Sequence, residues 1–276
     1  MANLKFALFV EGGITPSPSR GTNPRDAIWN EHLCGALELQ TFALIVPISK
    51  KHLVAMDPTQ PKMSGAGEGF DELLARTLRA TPFDVAVVAW DLVPAWNPAG
   101  EYCRWEETLD LYRFLSQSHS ANLPPLWKDV ALERFQELAS RDQPNARPNP
   151  PTFKKGLVLP ICMEPMFETL LVQDEPAARR AFDVSNPPNG WPSGGWGNVT
   201  ERRPDQRILR PAIAAIQRIK PKLKCVRQVR GNFVTNKDGW GEFLLRQLLR
   251  DQNANRAVLA SPISTRLREV VQPATS

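Results

Sequence analysis

The chain has 276 residues, 42% of them apolar and 23% charged, with a formal net charge of +5. That is enough apolar material for one large α/β domain, or one domain with a sizeable appendage. No segment approaches the roughly 20 continuous apolar residues of a membrane helix, and the short apolar run near the N-terminus falls below a signal-peptide core. A cytoplasmic protein that does not enter the membrane is expected. Cys34, Cys103, Cys162 and Cys225 lie far apart, with no CxxC pair, which argues for reduced packing residues over a structural zinc site. His32, His52 and His119 are the only histidines, and no GxSxG accompanies them, which argues against serine or cysteine hydrolase chemistry.

In chain order, the first predicted strand is Phe6–Val10 (FALFV). It runs directly into Glu11, Gly12 and Gly13 and then a turn-rich loop, Thr15–Pro24. A helix is expected over about Asp26–Glu38, then a strand over Phe42–Ile48. SGAGEGF (Ser64–Phe70) lacks the Lys-Ser/Thr that closes a phosphate-cradling loop and reads as a plain loop. Leu73, Leu74 and Leu78 share one face of a helix over Gly69–Ala80. The strand Val85–Trp90 ends on Asp91. Helices follow over Glu101–Ser116 and Leu126–Ser140, then a proline-rich linker, Arg141–Thr152, and a strand, Leu157–Cys162. These strands are apolar on both faces, as in the middle of a parallel sheet, although Pro47 and Pro160 point to strand ends or edges. Strands alternating with helices predict an α/β fold with an open, mostly parallel sheet.

Trp191 and Trp196, in the Pro/Gly-rich stretch Ser185–Asn198, can cap the core or stack on a base. The last third reads as more helical. Ile208, Ala212, Ala215, Ile216 and Ile219 form one stripe, and Trp240–Asp251 repeats the pattern. Between them, CVRQVRGNFV reads as a strand with Arg227 and Arg230 at its solvent edge. The expected organisation is an α/β domain over residues 1–180, a helical basic extension packed on it over 181–260, and a weakly ordered tail over 261–276.

Charge is unevenly placed. Arg202 to Arg230 holds ten Lys or Arg against Asp205 alone, a local charge of +9 that leaves about −4 for the rest. Such a segment suits contact with phosphate, and Arg202, Arg203, Arg207, Arg210 and also Lys155 are the candidate nucleic-acid contacts. The opposing reading is a solvated helix face.

In an open parallel sheet, ligands bind beyond the C-terminal strand ends. Glu11 and Asp91 follow their strands directly, and Glu164 follows the last strand after Met163. Carboxylates gathered without interleaved Lys or Arg repel unless a cation joins them, and oxygen ligands favour Mg²⁺ or Mn²⁺. Each acid could instead serve a helix N-terminus.

These motifs carry a resemblance. FVEGG resembles the first motif of toprim domains, an apolar run followed by Glu-Gly. VVAWDLVP resembles their second, a strand ending in Asp-x-Asp. LPICMEPMFETLLVQDEPAA (Leu159–Ala178) resembles the acidic helix motif of the toprim-like domain of unknown function 4276. Members of that family resemble the nuclease halves of overcoming-lysogeny-defect (OLD) proteins and often accompany ATPases in phage-defence loci. The resemblance covers about residues 5 to 178. It implies Glu11 as a general acid/base or metal ligand and Asp91 as the leading metal-binding aspartate. Glu164 and Glu168, at i, i+4 spacing on one helical face, would complete the site, with Asp174 as a further ligand. The sequence departs from the family pattern at Val93, which replaces the second acid of Asp-x-Asp, and after Glu-Gly, where an acid is missing. Asp26 or Glu31 could stand in for it.

The expected function is a Mg²⁺- or Mn²⁺-dependent nuclease working with an ATPase partner, with Lys155 or Lys237 stabilising the transition state. The alternative is a catalytically degenerate toprim-like module that binds a partner protein or nucleic acid.

Overall fold

The computed structural model describes residues 4–11, 24–49, 52, 68–93, 109–118, 120, 122–140, 151–219, 229 and 231–274. Four parallel strands form one sheet: β1 (Phe6–Glu11), β2 (Leu44–Ile48), β3 (Val85–Asp91) and β4 (Leu157–Met163), in the order β2-β1-β3-β4. This is the open parallel sheet flanked by helices expected from the alternation of apolar runs and amphipathic segments. β1 and β3 are central. The prolines lie on the outer strands β2 and β4, where a missing N–H costs no ladder bond.

Side chains alternate across the sheet and sort the core into two layers. Phe6, Leu8 and Val10, with Val85, Val87, Leu159 and Ile161, face one way. They meet α1, a helical turn Pro24–Asp26 that runs on as a π-helix over Ala27–Cys34, and the C-terminal helices. Ala7, Phe9, Ala86, Val88 and Trp90 face the other way. They pack on α2 (Phe70–Ala80), α3 (Leu109–Ser116) and α4 (Pro125–Ala139). Burying both faces explains why the strands read as continuous apolar runs.

The later elements are a 3₁₀-helix over Phe167–Val172, α5 (Glu175–Ala181), a π-turn Asp205–Leu209 leading into α6 (Arg210–Ile219), α7 (Lys237–Arg250), α8 (Gln252–Ala260) and α9 (Pro262–Val270). Local chemistry sets their starts. The side chains of Asp174, Asn236, Asp251 and Ser261 each accept a hydrogen bond from a backbone N–H of the first turn they precede. Residues after 180 share one apolar cluster with the strands, so the expected boundary there divides no core. Ile208, Ala212, Ala215 and Ile216 are buried as the stripe predicted, whereas Ile219 is 47% exposed at the helix end. Trp191 is buried and stacks on Trp196 at 5.5 Å, and its indole N–H donates to Glu175 Oε1, the core-capping arrangement. Residues 15–23 of the first loop, most of the linker and half of CVRQVRGNFV (225–228 and 230) lie outside the described residues, and its residues 231–234 form a turn where a strand was expected.

The weakly ordered tail expected over 261–276 is corrected. Ser261 caps α9, Pro262 occupies its first turn, and Ile263, Leu267, Val270 and Val271 are buried. The Arg266 guanidinium donates from Nε and Nη2 to Pro160 O, each at 3.2 Å, and so covers the outer edge of β4. Gln40 N donates to Gln272 O, and Leu39 pairs with Pro273. Four apolar residues spread over a short polar segment gave too weak a pattern to reveal this helix. Among the described residues no helix is long and apolar enough to cross a membrane. Because Leu267 is fully buried, Leu267→Ala should cost about 2–5 kcal/mol in urea unfolding. A loss below about 0.5 kcal/mol, the size of a surface change, would mean that α9 does not pack as described.

Candidate functional site

The sheet order sends the chain from β1 outward to β2 and then back across to β3. The connections therefore diverge between β1 and β3, and a crevice opens at the C-terminal ends of these two strands. Glu11 ends β1 and Asp91 ends β3. Beyond the last β1–β3 pair, Val10 with Ala89, the Asp91 N–H donates to Glu11 Oε2 at 2.9 Å. The glutamate thus extends the ladder past the point where strand pairing stops.

The Phe167 N–H, at the start of the 3₁₀-helix, donates to Asp91 Oδ1 at 2.9 Å. The next residue, Glu168, is 5% exposed. Its Oε1 lies 2.6 Å from Lys237 Nζ on the first turn of α7, while its Oε2 is buried with no hydrogen-bond partner. Lys237 Nζ is also 3.9 Å from Asp205 Oδ2. Asp205 in turn is gripped by Arg203, whose Nε and Nη2 reach its two oxygens at 3.0 Å each. A chain of alternating charge therefore runs from Glu168 through Lys237 and Asp205 to Arg203, with Asp91 as a like charge beside its acidic end.

Electrostatics follow from this geometry. Burial, the Glu168 carboxylate and the Glu11 carboxylate push the Asp91 carboxyl well above the usual range. Lys237 and the Phe167 amide pull it only partly back. Burial works against the Lys237 ammonium, but Glu168, Asp91 and Asp205 outweigh it and hold the amine above the ordinary lysine range. The Arg203 guanidinium is likewise held charged, first by its bonds to Asp205.

Of the expected residues, Glu11, Asp91, Glu168 and Lys237 come together. Others do not. Glu164 and Glu168 share no α-helical face, because the helix begins at Phe167 and is 3₁₀; Glu164 lies in the turn before it and lines a separate cleft. Asp174 accepts from Ala177 N as the cap of α5, a structural task. Lys155 precedes β4 and pairs with Asp84 at 3.2 Å. It sits at the N-terminal end of a seven-residue strand, about 20 Å along the sheet from the crevice. Val93 is buried, with its N–H on Pro165 O, and so occupies a core position. Asp26 accepts from Asn30, and Glu31 is exposed.

The basic segment divides. Arg203 is buried against Asp205, which removes it from the phosphate-contact surface expected of it. Arg202 is partly exposed, Arg210 is exposed, and Arg207 is exposed beside Glu201 at 3.3 Å. Asp205 is the site residue that the sequence did not reveal. It read as the lone acid of a basic run, and no spacing links it to Lys237.

The oxygen donors of the crevice suit a hard divalent cation, and the unpartnered Glu168 Oε2 is a ready ligand. Among the described residues, however, no three His, Cys, Asp or Glu close around one point as a complete metal cage. Fold and site together define an α/β protein with an acidic crevice at the switch point of an open parallel sheet. No protein-family model, curated protein or solved structure matches the chain.

Because the Asp91 carboxyl is raised on folding, its contribution to stability is full below the ordinary aspartate range, about pH 4, and is lost as pH rises through its folded value. Asp91→Asn removes the charge and keeps an oxygen for the Phe167 N–H. It should unfold about 2–4 °C above wild type at pH 7, on the order of 1 kcal/mol, and lose that advantage near pH 4. Equal melting temperatures at both pH values would show that Asp91 is not crowded by its neighbours.

Proposed function

We propose that the crevice binds a nucleic acid and hydrolyses its phosphodiester bonds with Mg²⁺ or Mn²⁺ held by Asp91 and Glu168. The observation that carries this reading is the Glu168 carboxylate, buried with one oxygen unpartnered beside a second, desolvated carboxyl. Lys237 balances the charge through Oε1, but the buried Oε2 stays costly until a donor or a cation reaches it. Mg²⁺ is commonly held by one or two carboxylates together with substrate phosphates, so an incomplete protein cage suits it. The bound cation would neutralise the phosphate and lower the pKa of an attacking water.

The chain's own residues have distinct tasks. The Phe167 N–H fixes one Asp91 oxygen and does not engage the other. Glu11, fastened to the Asp91 amide, is placed to accept a proton from a water entering between the strand ends. Lys237 neutralises Glu168 before substrate arrives. With 43% of its side chain exposed, it has room to turn toward a phosphate oxygen. The Arg203–Asp205 pair holds the far side of Lys237 in place, and Arg202, Arg207 and Arg210 serve the flanking phosphates.

The toprim-like motifs support the same chemistry and carry the proposal of an ATPase partner in phage defence. In the cytoplasm the buried thiols of Cys34 and Cys162 remain reduced. A second reading, a partner- or nucleic-acid-binding module without catalysis, is favoured by Lys237 already occupying Glu168 Oε1.

Purified protein incubated with supercoiled DNA and with RNA should cleave one of them in Mg²⁺ or Mn²⁺ and neither in EDTA. Asp91→Asn and Glu168→Gln should lose at least about a hundredfold in rate, the scale of a lost electrostatic or acid–base group. Cleavage that persists in EDTA or in both variants would sink the reading.

Lys237 and a cation also compete for Glu168. Lys237→Met should therefore bind Mn²⁺ on the order of tenfold more tightly in calorimetry without nucleic acid, while cleaving more slowly. Unchanged Mn²⁺ affinity would separate Lys237 from the cation site.

A further inference from the structure

A cleft of about 190 Å³ lies beside the crevice, between the turn after β4, the 3₁₀-helix, residues 199–200 and the start of α9. Leu170, Val199 and Ile263 supply apolar walls, and Glu164, Thr169 and Thr200 supply polar groups. Two features point to a ligand. Thr169 is 5% exposed and its Oγ1 is buried behind the cleft wall without a hydrogen-bond partner, a cost to stability that a turn of the side chain toward a ligand in the cleft would relieve. Val199 is 49% exposed on the cleft wall, apolar surface left open to water.

The dimensions and chemistry narrow the class. The volume is below the ~300 Å³ at which pockets for drug-sized ligands begin, so it holds a single heterocycle rather than a whole nucleotide. Apolar walls suit the faces of a flat ring. A carboxylate offers only acceptors, so Glu164 selects an edge rich in N–H donors, and a threonine hydroxyl can pair with either kind of group. Glu164 and Thr169 flank Glu168 in the chain, so the cleft shares a wall with the crevice.

We infer that this cleft is a base-reading slot that takes a nucleobase with exocyclic amine donors, guanine ahead of the others, from the nucleic acid in the crevice. Guanine presents adjacent N1–H and N2–H donors that match the two oxygens of a carboxylate; uracil and thymine present no amine. The inference rests on the nucleic-acid reading above. It also changes the task of Glu164 from metal ligand to specificity-determining residue.

The test uses the full chain, free of metal, titrated with guanosine, inosine and uridine by equilibrium dialysis. Inosine lacks only the 2-amino group. Guanosine should bind at least about tenfold more tightly than inosine or uridine, the scale of one lost base-edge pairing. Glu164→Gln should reduce the guanosine-to-inosine ratio to about two or less, and Thr169→Val should weaken guanosine without changing that ratio as much. Equal binding of the three nucleosides, no saturable binding, or an unchanged ratio in Glu164→Gln would overturn the slot. The result is separable from the catalytic reading. Guanosine preference without cleavage of any nucleic acid overturns the nuclease and supports the slot, whereas cleavage with no nucleoside preference does the reverse.

Discussion

β1 and β3 run side by side in the register Phe6–Val85 to Val10–Ala89, and the candidate site depends on that pairing. A slip of one residue would turn the strand's side chains to the opposite faces and carry Glu11 away from the Asp91 amide. The register is held from both sides. Phe6, Leu8 and Val10 are committed to one apolar layer and Ala7 and Phe9 to the other. The core thus aligns the carboxylates, and neither acid has to hold the strands together.

With the strand ends aligned, the crevice carries more negative charge than the fold prefers. Glu11, Asp91, Glu168 and Asp205 gather there, Lys237 and Arg203 pair with Glu168 and Asp205, and burial together with the neighbouring carboxylates makes Asp91 hold its proton more tightly. Such concentrated charge is tolerated where function uses it, at a cost to stability. Lys237 is central to the balance. It is the one group in the chain of charges that contacts Glu168 and Asp205 while keeping much of its surface in solvent.

The C-terminal helices supply what the sheet lacks. α7 brings Lys237, the turn before α6 brings Asp205 and Arg203, and α9 closes the edge of β4 through Arg266. All of them pack on the same apolar layer as β1 and β3. The expected view of an acidic domain with a basic appendage therefore gives way to one core in which both parts build the crevice. Arg203, counted among the phosphate contacts by charge, is an internal counter-ion.

The alternation of apolar runs with amphipathic segments was enough to determine the parallel sheet, its strands to within about two residues, and the placement of Glu11 and Asp91 at strand ends. These follow from local periodicity, which the chain cannot hide. Glu168 and Lys237 were legible only as candidates, one through its acidic motif and one through a short polar stretch. Only the tertiary structure decided that they touch, that Asp205 joins them, that Glu164 lines another cleft, that Lys155 lies at the wrong end of the sheet and that residues 262–270 form a packed helix. Each of these depends on which distant segments are brought together or on how a turn is wound. Neither the period of a strand nor the charge of a run contains that information.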